Sequence, residues 1–258
     1  MRSFADVQLH PLAQQFAGVA DAYERGRPEY APAVVGAFAA ELGIVAGDPV
    51  LDLGAGTGKL TRALVAFGFE VTAVEPQAPL RERLVAHVGP ERARDGVAEA
   101  IPLDNGSVAA ATIADAFHWF DRPRALAELR RVLRPGGGIA LFNTAPDWSG
   151  ASWAHELGQL VATSRQQEHP HFDGRPWQAY VREDGGFDEP YEIRVTTFSK
   201  ADPEGILAHM ASMSWIAALP DPERIQILAE MRAIVEAGTT PERLGLHFEI
   251  GLAKLRQS

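Results

Sequence analysis

Short apolar runs alternate with helix-like segments between Pro32 and Asn143, and this alternation restricts the fold more than any other feature. The predicted strands are Pro49–Leu53, Phe69–Glu75, Ala93–Val97, Ser107–Asp115 and Ile139–Asn143. The predicted helices are Pro32–Leu42, Gly58–Phe67, Gln77–His87 and Pro123–Leu133, and Arg134–Gly138 is expected to form a turn. The fourth run is apolar almost throughout, which is typical of a parallel strand buried on both faces. The order predicts an α/β fold with a doubly wound parallel sheet and right-handed crossovers.

The chain after Asn143 follows a different pattern. Residues 146–190 are rich in Trp, His, Gly, Asp and Pro, which indicates an insertion or lid rather than a new domain. Alternation with period two in Tyr191–Lys200 predicts a strand with an exposed face or edge. Two further helices and a last strand are expected over Pro203–Ala218, Pro222–Ala237 and Gly245–Arg256.

Composition excludes several classes of function. The chain has 258 residues, a net charge of −10 and no cysteine. The missing cysteines exclude disulfides, a cysteine nucleophile and a thiolate zinc site. An acidic surface repels phosphate backbones, and only Arg130, Arg131 and Arg134 form a dense basic stretch. We therefore expect no nucleic-acid partner.

Location and metal content are predicted from the same kind of evidence. No apolar run reaches the roughly 20 residues of a membrane span, and the first residues lack the apolar segment of a signal peptide. We expect a cytoplasmic monomer or homodimer with no membrane partner. His155, His169 and His171, with Asp173 near the last two, suggest a metal site. The Pro-rich segment around the last two favours a solvated loop, so no metal is predicted.

The stretch "VLDLGAGTGKLT" (residues 50–61) joins the first strand to the next helix. Such a loop places backbone N–H groups and a helix N-terminus beside a ligand. Gly54 and Gly56 fit the start of the dinucleotide pattern G-x-G-x-x-G, but Lys59 occupies the third glycine position and Gly58 precedes it. The G-x-x-x-x-G-K-[ST] spacing of a P-loop is absent. The loop therefore indicates a nucleotide-like ligand, which need not contain a pyrophosphate.

Glu75 adds a second constraint, because it ends the second strand 21 residues after Gly54. A carboxylate at that place can accept hydrogen bonds from both ribose hydroxyls. The combination predicts a ligand with a free ribose diol.

Four segments resemble the class I S-adenosylmethionine-dependent methyltransferases. They are "VLDLGAGTGKLT", "VTAVEP", "GVAEAIPLDNGSVAAATIADAFHWFD" and "ALAELRRVLRPGGGIALFN". The arm "ADAYERGRPEY" and the segment "HMASMSWIAALPDPER" are most similar to the small-molecule subgroup of the ubiquinone/menaquinone or trans-aconitate type. The resemblance implies a Rossmann-like, mostly parallel seven-stranded sheet with an α-helical lid.

The same resemblance implies one methyltransferase domain over residues 1–258. Its parts would be an N-terminal arm and helix (1–45), a cofactor-binding core (46–145), a substrate-binding lid with one sheet strand (146–220), and a C-terminal helix and last strand (221–258).

The resemblance also implies roles at the methionine end of the cofactor. Gly54, Ala55 and Gly56 would pass under it, while Asp52 would hold the amino group directly or through water. The carbonyl of Ala114 would bind the same amino group. On the arm, Tyr23 and Arg27 would close over the carboxylate, a role suited to an arginine.

At the nucleoside end, the resemblance assigns Glu75 to the ribose and Pro76 to one side of the adenine. Val97 and Ala98 would line the other side. Many relatives carry a polar residue where Val97 stands, so the bond to the adenine amino group would fall to Glu99 or to backbone groups.

The segment "AFHWF" supplies candidates for the reaction. Methyl transfer from a sulfonium needs positioning above all, and a base only when the acceptor must lose a proton. His118 is the candidate base, since it follows the fourth strand where such sheets bind ligands. Phe117, His118, Trp119 and Trp215 are candidate substrate contacts, whereas Phe120 is expected in the core.

These observations predict a methyltransferase that acts on oxygen or carbon of a small molecule and uses S-adenosylmethionine. Two alternatives stay open at this point. One is an NAD(P)-dependent oxidoreductase, and the other is a non-catalytic protein that binds S-adenosylmethionine.

Overall fold

The protein is described by a computed structural model covering residues 24–147, 149, 152–164, 174–200, 202–213, 216, 219–238 and 243–256. Its strands, numbered in chain order, are β1 (Pro49–Leu53), β2 (Glu70–Val74), β3 (Ala93–Arg94), β4 (Val108–Ala114), β5 (Leu133–Pro146), β6 (Tyr191–Lys200) and β7 (Arg243–Lys254). The helices are α1 (Pro32–Leu42), α2 (Lys59–Phe67), α3 (Ala78–Val88), α4 (Arg122–Val132), α5 (Ser152–Ser164), α6 (Trp177–Asp184), α7 (Pro203–Ala211) and α8 (Asp221–Ala237).

The seven strands form one sheet in the order β3-β2-β1-β4-β5-β7-β6. The first five strands pair in parallel, and β7 pairs antiparallel with β5 and β6. This confirms the α/β fold with a mostly parallel, Rossmann-like sheet. Because β1 is flanked by β2 and β4, the chain reverses its winding there, and a crevice is expected at the carboxyl ends of β1 and β4.

Helices bury the two faces of the sheet. On one face, Val34 and Phe38 of α1 and Leu64 of α2 pack against residues such as Val50 and Phe248. On the other, Leu126 and Leu129 of α4 and Val181 of α6 pack against residues such as Leu51 and Ile139. The sheet is therefore buried on both sides, as its apolar strands require.

Three helices of the second half form a separate apolar cluster. The cluster includes Trp153 and Leu157 of α5, Met210 of α7, and Met231 of α8. All four side chains are almost completely buried. The cluster shares no buried member with the two sheet-facing clusters, so this helical layer has its own core.

The structure corrects three local predictions. The segment Arg134–Gly138 is part of β5, where Leu133 pairs with Val108 and Gly138 with Ala110, so the glycines form a bulge instead of a turn. The positive φ of 79° at Gly136 permits that bulge.

The other two corrections concern element length. The helix predicted to reach Ala218 ends at Ala211, where the buried Ser212 hydroxyl donates to the His209 carbonyl at 2.7 Å. The third strand covers only Ala93–Arg94, and Val97 forms an isolated bridge with Ala100. In the described ranges, none of the helices has the length and apolar character needed to cross a bilayer.

Candidate functional site

The glycine loop turns sharply between β1 and α2 at the carboxyl edge of the sheet. Gly54 and Gly58 have φ of 72° and 90°, values that side chains disfavour. A Cβ on Gly54 would lie 2.9 Å from the Ala116 Cβ, and one on Gly58 would lie 2.7 Å from Leu84 Cδ1. Gly54 thus lets the loop approach the residues after β4, and Gly58 lets α2 approach α3. A Cβ on Gly56 would meet no described atom within 4 Å, so the loop has open space beside it.

The backbone of this loop is anchored to β2. The N–H groups of Gly54 and Ala55 donate to the Val74 carbonyl at 2.9 and 3.1 Å. The loop is therefore held in shape before any ligand arrives, which is the preorganisation that a binding cradle needs.

Glu75 follows β2 directly and faces the loop with only 4% exposure. Its Oε2 accepts from the Gly56 N–H and its Oε1 from the Gln77 N–H, both at 2.9 Å. Burial raises the pKa of Glu75 to about 6, against the lowering effect of these backbone donors. A carboxylate has about four acceptor positions, so acceptor capacity remains after two bonds. Its fixed position and free lone pairs fit a ribose diol.

Asp52 lies beneath the loop instead of on its surface, since it is 1% exposed. Its Oδ2 accepts from Thr61 Oγ1 at 2.6 Å, and its Oδ1 from Thr112 Oγ1 at 3.3 Å. Burial raises the pKa of Asp52 to about 6, although both hydroxyl bonds lower it. Asp52 therefore ties β1 to α2 and β4. This burial leaves the predicted contact with a ligand amino group to run through water.

Lys59 explains why the third glycine position is not a glycine. Its side chain is 6% exposed, and its Nζ lies 2.6 Å from Glu29 Oε1 on the N-terminal arm. Arg62, one turn later, binds Glu24 and Glu29 at 3.0 and 3.1 Å. Thr57 Oγ1 donates to Glu24 at 2.6 Å. In a dinucleotide-binding protein a glycine at this position lets the helix pack closely on the strand. In this chain, Lys59 and its neighbours instead bind the arm, which is thereby held next to the loop.

Asp115, which the sequence interpretation did not single out, lies at the mouth of the crevice just after β4. It is the only non-glycine residue with positive φ (48°) among the described residues. Its Oδ2 accepts from Arg27 Nη1 at 2.8 Å, and burial raises its pKa although Arg27 lowers it. Strained backbone of this kind is concentrated at functional sites. The position directly after an apolar strand was the signal that could have identified it.

Arg27 thus lies on the arm at the crevice, but Asp115 already engages one of its guanidinium nitrogens. Tyr23, its predicted companion, lies outside the described residues. Ala114, the last residue of β4, pairs in register with Phe142 and stands next to this ion pair.

One of the residues predicted to surround the adenine, Glu99, already has a partner in the protein. Pro76 is half-buried beside Glu75, and Val97 and Ala98 are buried. Glu99 is committed elsewhere, because its Oε1 accepts from the Asp121 N–H at 2.7 Å at the start of α4. The predicted bond from Glu99 to a base therefore has a competitor in the protein itself.

A cavity of about 550 Å³ opens beyond the carboxyl ends of β4 and β5. Phe117 and His118, two of the predicted substrate contacts, line it. Trp119 is not among its lining residues, and its ring packs on the His118 imidazole with centroids 4.7 Å apart. Phe120 packs edge-on against Phe117 in the sheet core, as expected. Trp215 lies outside the described residues.

Three further lining residues were missed because they come from separate segments. Arg122 Nη1 donates to Tyr180 Oη at 2.9 Å, and its Nη2 donates to the His118 carbonyl at 3.4 Å. The guanidinium carbons of Arg122 and Arg175 each lie 4.6 Å from the Tyr180 ring centroid. Arg122 thus places His118 by a direct bond. No local sequence pattern indicates that α4 and α6 meet here.

The alternative ligand classes find no support in the described ranges. Arg130, Arg131 and Arg134 pair with Asp184, Glu128 and Asp48 at 3.2, 2.7 and 3.0 Å, so these arginines form no open basic patch. No group of three His, Asp or Glu side chains in those ranges is placed to hold a metal. His155 is exposed on α5, 2.9 Å from Gln159 Nε2, and His169 and His171 lie outside the described residues.

Comparison with known proteins agrees with this site. Residues 51–141 match the family described as a methyltransferase domain. Over 225 residues the chain is 36% identical to an uncharacterized methyltransferase of Mycobacterium tuberculosis, covering 87% of this chain and 86% of that protein. It is 32% identical over 215 residues to an uncharacterized methyltransferase of Schizosaccharomyces pombe, covering 83% and 84%.

Solved structures show the same architecture. A structure from Anaeromyxobacter dehalogenans, assigned as a type II methyltransferase, superposes with a TM-score of 0.63 at 26% identity, covering 89% of this chain and 97% of that one. A phosphoethanolamine N-methyltransferase of Haemonchus contortus, in complex with S-adenosylhomocysteine, has a TM-score of 0.53 at 15% identity. It covers 100% of this chain and 61% of that one, and it supports the fold alone.

The sheet order, the glycine loop and Glu75 define a class I enzyme that uses S-adenosylmethionine. The chain belongs to the methyltransferase family. This assignment favours methyl transfer over the oxidoreductase and the non-catalytic alternatives.

Proposed function

We propose that this methyltransferase acts on an oxygen or carbon atom of a small molecule bound in the cavity beyond β4 and β5. The observation that carries the proposal is the place of that cavity. Ala116 lines it and is also a residue that the Gly54 turn approaches closely, so an acceptor there would lie next to the loop proposed to hold the cofactor. The small-molecule subgroup, a cytoplasmic location and a monomeric or homodimeric state remain predictions.

On this proposal, Glu75 holds the ribose, and the loop at Gly54–Gly56 carries the methionine portion. Arg27 neutralises Asp115 and faces the cofactor carboxylate from the arm. When bound, S-adenosylmethionine would supply its sulfonium methyl group for in-line transfer to the acceptor atom, with S-adenosylhomocysteine as the leaving group. The chain's contribution is then to position the acceptor and to exclude water.

His118 is the proposed base for a hydroxyl acceptor. His118 lines the cavity, its ring packs on Trp119, and Arg122 donates to its backbone carbonyl. A positioned base contributes about 10²–10⁴-fold to a rate. We expect His118→Ala to lower turnover of hydroxyl acceptors by that order while leaving S-adenosylhomocysteine binding unchanged. An unchanged turnover would remove His118 from the chemistry.

The first experiment measures cofactor choice and transfer together. S-adenosylhomocysteine should raise the melting temperature by mass action, and NAD should not. Transfer of a labelled methyl group to a panel of hydroxylated, carboxylated and carbon acceptors then identifies the acceptor class. A shift with NAD alone would overturn the proposal, and cofactor binding without transfer to any panel member would count against it.

A further inference from the structure

His209, in the last turn of α7, is a buried histidine that the site described so far does not use. It is 6% exposed and lines the cavity. Its Nδ1 has no hydrogen-bond partner among the described residues. A buried nitrogen without a partner costs free energy, so its retention at a cavity wall indicates a ligand group that completes it.

The other ring nitrogen is engaged by the arm. A hydrogen bond with the Gly26 backbone raises the pKa of His209, as only an accepting carbonyl can do for a ring N–H. Because Nδ1 has no partner, Nε2 is the nitrogen that donates to this carbonyl. The bond fixes the tautomer, which leaves a lone pair on Nδ1.

The electrostatic surroundings keep this ring neutral. Burial and the charge of Arg27 together lower the pKa of His209 to about 3, despite the Gly26 bond. The imidazole therefore remains an acceptor at Nδ1 throughout the neutral range.

The three carboxylates of the cavity wall already have donors from the protein. Asp115 accepts from Arg27 at 2.8 Å, and Glu249 accepts from Arg194 at 2.7 Å. Glu192 accepts from Trp177 Nε1 at 2.8 Å and from Gln178 at 2.9 Å. His209 Nδ1 differs from all three carboxylates in being both neutral and without a donor from the described residues.

We propose that His209 Nδ1 accepts a hydrogen bond from a hydroxyl or N–H group of the methyl acceptor, and that His209 is thereby a specificity-determining residue. The proposal rests on the proposed function, since it assigns this cavity to the acceptor. A buried acceptor of this kind selects against molecules that offer no donor at that point.

Two matched substitutions separate this role from a structural one. His209→Asn retains an amide oxygen near the Nδ1 position but loses the reach to Gly26. His209→Gln retains a donor for the Gly26 carbonyl but loses the acceptor at Nδ1. The probes are 4-hydroxyphenylacetate and 4-methoxyphenylacetate, which share a ring and a carboxylate and differ in the phenolic hydrogen, which a methyl group replaces in the second. Their binding is measured by calorimetry with the enzyme saturated with S-adenosylhomocysteine.

We expect the wild-type enzyme to bind the hydroxy probe about two- to tenfold more tightly, the range of one hydrogen bond. His209→Asn should keep that preference and His209→Gln should lose it. Any other pattern overturns the proposal, including a wild-type enzyme that shows no preference or binds neither probe. If only His209→Gln keeps the preference for the hydroxy probe, the role of the ring is to hold the arm through Gly26.

The affinity for S-adenosylhomocysteine is measured in parallel. If the wild-type enzyme does not bind it, the proposed function fails independently of His209. If His209→Gln weakens cofactor binding and leaves the probe preference intact, Nδ1 belongs to the cofactor, and the present inference is wrong.

Discussion

The two sides of the crevice are built in different ways. On the cofactor side, the main groups fall within residues 52–75 and are fixed by backbone bonds, such as Gly56 N–H to Glu75 and Gly54 N–H to Val74. On the side proposed for the acceptor, the cavity wall includes residues of the arm, of β4 to β7 and of the helices α4 to α7. Many of its contacts join side chains far apart in sequence, such as Arg122 to Tyr180.

The difference shows which part of the function each side determines. A cradle made by one strand–loop–helix unit positions the same ligand wherever that unit recurs. A wall made by separate segments changes when any one of them changes. On the proposed function, the choice of cofactor therefore depends on local geometry, whereas the choice of acceptor depends on how α5–α8 and the arm meet the sheet.

The largest expected effect tests the cofactor side. Glu75→Ala removes the carboxylate that faces the loop and also a partner of the Gly56 N–H. Since a hydrogen bond to a charged group contributes about 1.5–3 kcal/mol, losing bonds to two ribose hydroxyls should weaken S-adenosylhomocysteine binding about a hundredfold or more. Calorimetric titration measures this.

Glu70→Ala is the matched control, because Glu70 begins β2, the strand that Glu75 follows, and has an exposed side chain. It should bind like the wild type. A Glu75→Ala variant that folds and binds within about threefold of the wild type would separate Glu75 from the ribose.

The next prediction tests whether the lid has its own stability. Met231 is fully buried in the cluster of α5, α7 and α8, away from the sheet. Met231→Ala should cost about 2–4 kcal/mol in that layer and increase proteolysis there. S-adenosylhomocysteine affinity should fall by no more than about twofold. An equally large loss of cofactor affinity would show that the two regions are one energetic unit.

A smaller effect concerns Asp52, whose pKa in the fold is about 6 against an ordinary 3.8. A raised folded pKa means that the protonated carboxyl stabilises the fold. This contribution is complete below the unfolded value and is lost as pH rises through about 6. Asp52→Asn should therefore gain about 2–3 kcal/mol relative to the wild type between pH 4 and pH 7.

Denaturant unfolding at each pH tests this difference. Asp188→Asn, at an exposed carboxylate 3.9 Å from Arg256, is the control and should run parallel to the wild type. If the plot of unfolding free energy against pH for Asp52→Asn also runs parallel to that of the wild type, the pKa of Asp52 is not raised by burial, and its carboxyl contacts water.

The same contrast explains how far the sequence could be interpreted. The period of the apolar residues predicts β1, β2, β4, β6 and β7 to within two residues, and the predicted bounds of β1 (Pro49–Leu53) are correct. The third strand is shorter than predicted and β5 is longer. Strand position also placed Glu75 at the loop, because parallel strands end at a common edge. These features depend on neighbours in the sequence or on one crossover.

What was missed depends on contacts between distant segments. Nothing near Asp115 in sequence indicates Arg27, 88 residues away, and nothing near Arg122 indicates Tyr180. The glycines of Arg134–Gly138 suit a turn as well as a bulge, so the sequence predicts a turn there. Only the pairing of β5 with β4 decides for the bulge. Only the topology supplies such information.

The smallest expected effect tests whether the arm belongs to the cofactor side. Lys59→Met keeps the buried stem of the side chain and removes its bond to Glu29, whose side chain is 65% exposed. An ion pair with so exposed a partner contributes about 0–1 kcal/mol, so global stability should hardly change. The arm should nevertheless become more sensitive to protease, and S-adenosylhomocysteine affinity should fall about two- to fivefold because closing the arm then costs more. Arg182→Met removes an exposed ion pair between Arg182 of α6 and Glu189, and it should leave protease sensitivity and cofactor affinity unchanged. If Lys59→Met behaves like Arg182→Met, the lysine at the third glycine position does not couple the arm to the loop, and its bond to Glu29 is a surface contact only.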